Sequence, residues 1–121
     1  MSDVVDQITA SIGAHGMWKQ RIVNAIDTGT CEWTPETVQT DCNCEFGKWL
    51  HSCDGATQSS PHYQEVRRLH AEFHKVAADV LSLALAGQKD KASSAIEHNG
   101  TYANISGDLV REMMNWRNSL N

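Results

Sequence analysis

The stretch Arg67-Arg68-Leu69-His70-Ala71-Glu72-Phe73-His74-Lys75-Val76-Ala77 lies in the middle of a long run of apolar residues at helical spacing. Val66, Leu69, Phe73, Val76, Val80 and Leu83 follow one another at steps of three and four, the period of a helix with one buried face. Ala77, Leu81 and Ala84 widen that face, with His70 inside the widened stripe and His74 at its edge. Imidazoles at i and i+4 leave a helix from the same side, about one turn or 6 Å apart. Two such rings reach one metal ion at about 2.0–2.1 Å from each nitrogen. A lone His-x-x-x-His is more often a pair of surface histidines, so the rest of the chain decides.

Outward from this stretch the chain reads as helices. Ser60 suits an N-cap with Pro61 at the first helical position, and Gly87 breaks the pattern after Leu85-Ala86. Upstream, residues 3 to 27 form a first helix, capped by Ser2 or Asp3, with Val4, Ile8, Ile12, Trp18, Ile22 and Ile26 on one face. The stripe skips a step between Ile12 and Trp18, and His15 fills it, so an imidazole points at the core. Gly29 suits a left-handed residue after the helix. Thr34-Pro35 looks like the start of a helix of one or two turns. Another short helix begins near residues 41 to 44 and carries Phe46, Trp49 and Leu50 to about Ser52. Gly55 and Gln58-Ser59-Ser60-Pro61 end that section. Downstream, a last helix is expected from Asp90 to about Arg117, with Ala92, Ala95, Asn99, Ala103, Ser106, Val110, Met113 and Arg117 or Leu120 facing inward. Gly100 and Gly107 weaken it by roughly 1 kcal/mol each, or permit close helix approach. No segment has strand periodicity. The expected fold is all-α: an antiparallel (four-)helix bundle with short additional helices, forming a single domain over residues 1–121.

Composition narrows the function. With 121 residues, 40% hydrophobic and 21% charged, the chain can bury a core without staples. A net charge of −5 with no basic stripe speaks against nucleic acid or anionic membranes as partners. There is no apolar run of the roughly 18 residues that span a bilayer and no signal peptide, so the expected compartment is the cytoplasm. There, the four cysteines, Cys31, Cys42, Cys44 and Cys53, read as metal-binding, redox-active or buried thiols rather than as two disulfides.

Three segments therefore aim metal-competent groups at the interior: His15, Cys44, and the pair His70 and His74. Three imidazoles and a thiolate are ligands of borderline softness that suit tetrahedral Zn²⁺. Four protein ligands make a closed site, structural or sensing, whereas a catalytic zinc keeps a position for water. Glu72 is not a protease glutamate, because that motif places Glu directly after the first His.

The segments His15-Gly16-Met17-Trp18-Lys19-Gln20-Arg21-Ile22, Cys44-Glu45-Phe46-Gly47-Lys48-Trp49-Leu50 and His70-Ala71-Glu72-Phe73-His74 resemble the three signature stretches of the chemoreceptor zinc-binding (CZB) domains, in the same order and with similar spacing. The resemblance implies a helical bundle with one zinc held by His15, Cys44, His70 and His74. Asp41 matches an acidic residue that members carry three positions before the cysteine. It also implies sensing without turnover, so the chain is not expected to be an enzyme. Such domains accompany bacterial chemoreceptors or diguanylate cyclases, respond to zinc or to oxidants such as hypochlorous acid, and are commonly dimeric. A homodimer and a chemoreceptor or cyclase signalling partner are the expected associations.

The remaining chemistry-bearing residues read blandly. Cys31 and Cys53 are bystanders; Cys42 forms a Cys-x-Cys with Cys44, a pattern open to metal binding, to a strained disulfide or to capture of an oxidised Cys44. His51, His62 and His98 read as solvated, and Trp18 and Trp49 as walls of the site. Two other functions compete. A metalloenzyme or hemerythrin-like di-iron bundle needs inward bridging carboxylates, which are missing from the pattern. A metal-free structural or partner-binding bundle needs no inward ligand set at all.

Overall fold

In a computed structural model of the chain, Pro61 opens a 25-residue helix, Pro61–Leu85, behind an extended Ser60 at φ −68°, ψ 131°. Proline fits there because the first-turn N–H groups have no partner inside the helix. Ser60 serves through its backbone, its carbonyl accepting from the Gln64 N–H at 3.1 Å, and its hydroxyl makes no capping bond. The helix stops where Gly87 turns left-handed at φ 79°, letting the Gln88 N–H reach back to the Leu83 carbonyl at 2.9 Å.

The structure describes residues 2–31, 34–38, 45–53, 55–97 and 99–120. Over these, the helices are α1 (Ser2–Thr28), α2 (Pro35–Val38), α3 (Glu45–Ser52), α4 (Gly55–Gln58), α5 (Pro61–Leu85), α6 (Lys89–Ile96) and α7 (Thr101–Ser119), and no strand occurs among the described residues. The fold is an all-α helical bundle. α5 is its central element, packed against α1, α2, α6 and α7, and α6 also touches α1 and α7. α5 and α7 run antiparallel: His62 meets Glu112 at one end, and Phe73 meets Tyr102 further along. No helix among the described residues is long and apolar enough to cross a membrane.

α1 and α5 bury the faces their periodicities specify. Ile8, Ile22 and Ile26 are buried on α1, with Val4, Ile12 and Trp18 packed at the edge. Gly29 ends α1 at φ 74°, its N–H on the Ala25 carbonyl at 2.8 Å. On α5 the buried face centres on Val66, Leu69, Phe73, Ala77, Leu81 and Ala84. Val76 and Leu83 are only half-buried, so the face is rotated toward the histidine side of the stripe. Fully burying one such large apolar side chain is worth about 1.5–3 kcal/mol.

Two expectations for the second half need correction. The residues after Asp90 form two helices, because the backbone leaves helical geometry at Glu97 (ψ 166°) and Asn99 turns left-handed at φ 70°. The restart resets the phase. α7 buries Tyr102, Ile105, Leu109, Met113 and Trp116 in place of Ala103, Ser106, Val110 and Arg117. Two aromatic rings offer far more apolar area than the small residues they displace. Further upstream, Gly55–Gln58 adds a helical turn, α4, where only a break was expected.

Gly100 explains how the restart is tight. A methyl group built on it runs into the backbone carbonyls of Ala95 and Ser94, and backbone does not give way cheaply. The Gly100→Ala protein is therefore expected to lose about 1–3 kcal/mol of stability, an overpacking penalty readable in denaturant melts. Gly107→Ala is the comparison, since nothing lies within 4 Å of a methyl there.

α3 closes one side of the bundle. Its Phe46 and Leu50 are buried, the Tyr63 hydroxyl donates to the Leu50 carbonyl at 2.6 Å, and Trp49 leans on Trp116 of α7 with ring centroids 5.8 Å apart.

Candidate metal centre

α1 delivers His15 because its apolar stripe shares a face with Ser11 and His15, which are 4% and 3% exposed. α5 delivers His70 and His74, at 0% and 2% exposure, from the middle of its buried face. The three rings meet, with one ligand atom from each within 4.8 Å of the others. His70 Nε2 lies 3.1 Å from His74 Nε2, and the His15 ring centroid is 4.9 Å from that of His70 and 5.8 Å from that of His74. Tetrahedral zinc with bonds of about 2.0–2.1 Å separates its nitrogens by roughly 3.3 Å, so the cluster needs little closure to fit one ion.

The outer nitrogens of two rings are already engaged. His15 Nδ1 is 2.9 Å from both the carbonyl oxygen and the hydroxyl of Ser11. His74 Nδ1 is 2.8 Å from the Val38 carbonyl oxygen. A carbonyl only accepts, so each Nδ1 carries the proton and each Nε2 presents a lone pair. This is the arrangement in which a metal-binding imidazole donates its other N–H to a backbone carbonyl. For His15 and His74 the outer partner is a main-chain carbonyl, and Asp41, the acidic residue of the family pattern, lies outside the described residues.

Burial keeps His15 and His70 neutral. Desolvation lowers the His15 pKa to about 4, opposed by the Ser11 carbonyl and reinforced by His74. Desolvation, then His74, His15 and His51, lower that of His70 to about 2. A neutral imidazole is the form that ligates, so the donors need lose no proton to water at pH 7.

The walls are aromatic. Phe46 makes T-shaped contacts with His15 and His70 at 5.9 and 5.2 Å, and Phe73 with His15 at 5.2 Å. Trp49 stands behind Phe46 at 5.6 Å. Trp18 is half-buried against the core, with the Arg21 guanidinium over its ring at 4.8 Å. Among the described residues no carboxylate or thiol joins the cluster. Cys44 and Cys42 lie outside the described residues, as does His98. Phe46, two positions after Cys44 in the sequence, is in contact with the cluster.

Among the described residues the other histidines and cysteines lie outside the cluster. His51 and Glu72 are exposed as expected. His62 is not merely solvated, because its Nδ1 is 2.9 Å from the Glu112 carboxylate across the α5–α7 seam. Cys31 and Cys53 are half-buried against the core, and the Cys53 thiol donates to the Trp49 carbonyl at 3.3 Å. Ser11 had a sequence signal, a hydroxyl one turn before an inward histidine. Val38 had none, since it acts through its main chain.

Buried imidazoles from two helices meet here, two of them with their outer nitrogens tethered, and the group could hold a metal ion. The family model for the chemoreceptor zinc-binding domain matches residues 15–81. The chain belongs to this family. The match begins at His15 and spans Cys44, His70 and His74, so all four residues of the expected ligand set fall inside the CZB region. Comparison with curated proteins and with solved structures returns no match. The CZB assignment thus agrees with the helical fold and with the histidine cluster.

Proposed function

We propose that this CZB domain binds one Zn²⁺ through Nε2 of His15, His70 and His74 and the thiolate of Cys44. The carrying observation is the meeting of three buried imidazoles within 4.8 Å, contributed by helices far apart in the sequence. Zinc, when bound, holds the cysteine sulfur as thiolate at neutral pH and ties three separate segments together. His15 and His74 bring lone pairs already aimed by Ser11 and Val38. His70 shares a hydrogen bond with His74 through Nε2, so its proton moves to Nδ1 when Nε2 ligates.

The domain is proposed to act in the cytoplasm as a sensory or regulatory module, responding to zinc or to an oxidant and signalling in chemotaxis or cyclic-di-GMP pathways, as a homodimer or with a receptor or cyclase. With hypochlorous acid, the Cys44 thiolate gains one oxygen to become sulfenic acid and chloride leaves. The sulfenic acid is a poorer ligand, which frees the short helix α3 while the histidines remain. A di-iron reading finds no support among the described residues, where no carboxylate joins the cluster.

Metal analysis of the purified protein is expected to give one zinc per chain. Cys44→Ser is expected to weaken binding by at least about tenfold without abolishing it, as for loss of one ligand among several. Two irons per chain, or no tight zinc, would overturn the assignment. The mobility of residues 41 to 54 with zinc, with chelator and after oxidant tests the signalling step; identical behaviour in all three states removes it.

A further inference from the structure

We propose that α2 is a latch on the metal centre: the Val38 carbonyl positions His74, and its hold tightens when the cation binds. This rests on the reading of the three imidazoles as metal ligands. α2 has four residues, far too few to be stable alone. It is held by its buried Val38 side chain, by the Val38 N–H on the Thr34 carbonyl at 3.0 Å, and by His74 Nδ1–H on the Val38 carbonyl at 2.8 Å. Only the last of these reaches the cluster.

The two tethered histidines differ in kind. His15 is held by Ser11 four positions away within the same helix, a bond that exists whenever α1 exists. The bond from His74 spans 36 positions and exists only while α2 is docked on α5. A ring whose Nε2 gives its lone pair to a cation loses electron density, and its Nδ1–H becomes a stronger donor. The bond to Val38 then moves from a neutral toward a charge-assisted one, about twice as strong. Linkage makes the effect reciprocal: what the metal adds to α2 docking, α2 docking adds to metal affinity. Val38 precedes Cys44 by only six positions. The coupling runs through a histidine and a main-chain oxygen, independently of the sulfur.

Amide hydrogen exchange on the full chain, with zinc alone as the probe against chelator, tests this. Zinc is expected to slow exchange of the Val38 amide at least about tenfold and to leave unchanged the Ala92 amide, which bonds to the Gln88 carbonyl beyond the far end of α5. Val38→Ala is expected to weaken zinc binding by about 10- to 100-fold, the range for outer-shell partners. Imidazole ¹⁵N shifts are expected to place the His74 proton on Nδ1 with and without zinc. The latch is overturned if zinc binds with Val38 exchange unmoved, if Ala92 slows equally, or if the His74 proton lies on Nε2. Should His74→Ala keep full zinc affinity, the site reading falls and the latch with it. Should His74→Ala lose zinc while the wild-type Val38 amide ignores the metal, the latch falls alone. The wild-type exchange and ¹⁵N measurements decide even if Val38→Ala fails to fold.

Discussion

His70→Ala is expected to lower zinc affinity by more than about 100-fold. His70 is completely buried and sits between the other two rings, with centroids 4.9 Å from His15 and 4.5 Å from His74. A structural zinc contributes about 10–16 kcal/mol, so one of four ligands carries roughly 3 kcal/mol, or more than two decades in affinity. Chelator competition measures it directly. His62→Ala is the control, since His62 pairs with Glu112 away from the cluster, and its affinity should stay within about twofold of wild type. A His70→Ala protein that held zinc as tightly as wild type would remove His70 from the ligand set.

The zinc-free protein is expected to lose about 4 kcal/mol of folding stability between pH 7 and pH 5. His15 and His70 have folded-state values of about 4 and about 2, both below the ordinary 6.5. The unfolded chain therefore binds more protons, and stability falls as pH drops. The contribution is complete above 6.5. It is lost progressively below 6.5, levelling off near pH 4 for His15 and continuing toward pH 2 for His70. At pH 5 each ring has cost about 2 kcal/mol, at about 1.4 kcal/mol per unit of pH below 6.5. Against a typical total of about 5–15 kcal/mol, that brings the metal-free protein toward unfolding in mild acid. Denaturant midpoints at pH 7, 6 and 5 in chelator check it, with the His15→Leu/His70→Leu protein expected to show a flatter profile. A wild-type profile as flat as that of the double variant would contradict the burial argument.

The centre of the fold was legible because one helix carried both signals. In α5 the three-and-four spacing that buries Phe73 and Ala77 also fixes the side from which His70 and His74 leave. His15 was legible as a polar ring standing where an apolar stripe skipped a step. The face of α7 was not, because Asn99 and Gly100 interrupt the helix and a period cannot be carried across a break. The bond from His74 to Val38 was invisible for another reason: a main-chain oxygen has no letter in the sequence. Phe73 was read as part of the buried stripe, and its ring, with that of Phe46, lines the cluster. The thiolate side rests on sequence and family membership, since Cys44 is outside the described residues.

The tilted pair formed by Trp49 and Trp116, 35° between ring planes, has an optical consequence. Two indoles this close share their excited states, so their near-ultraviolet dichroism and emission depend on their separation. One indole rides on the helix that follows Cys44 and the other near the end of α7. Any displacement of one helix from the other is written into the light the protein absorbs and emits, with no label attached.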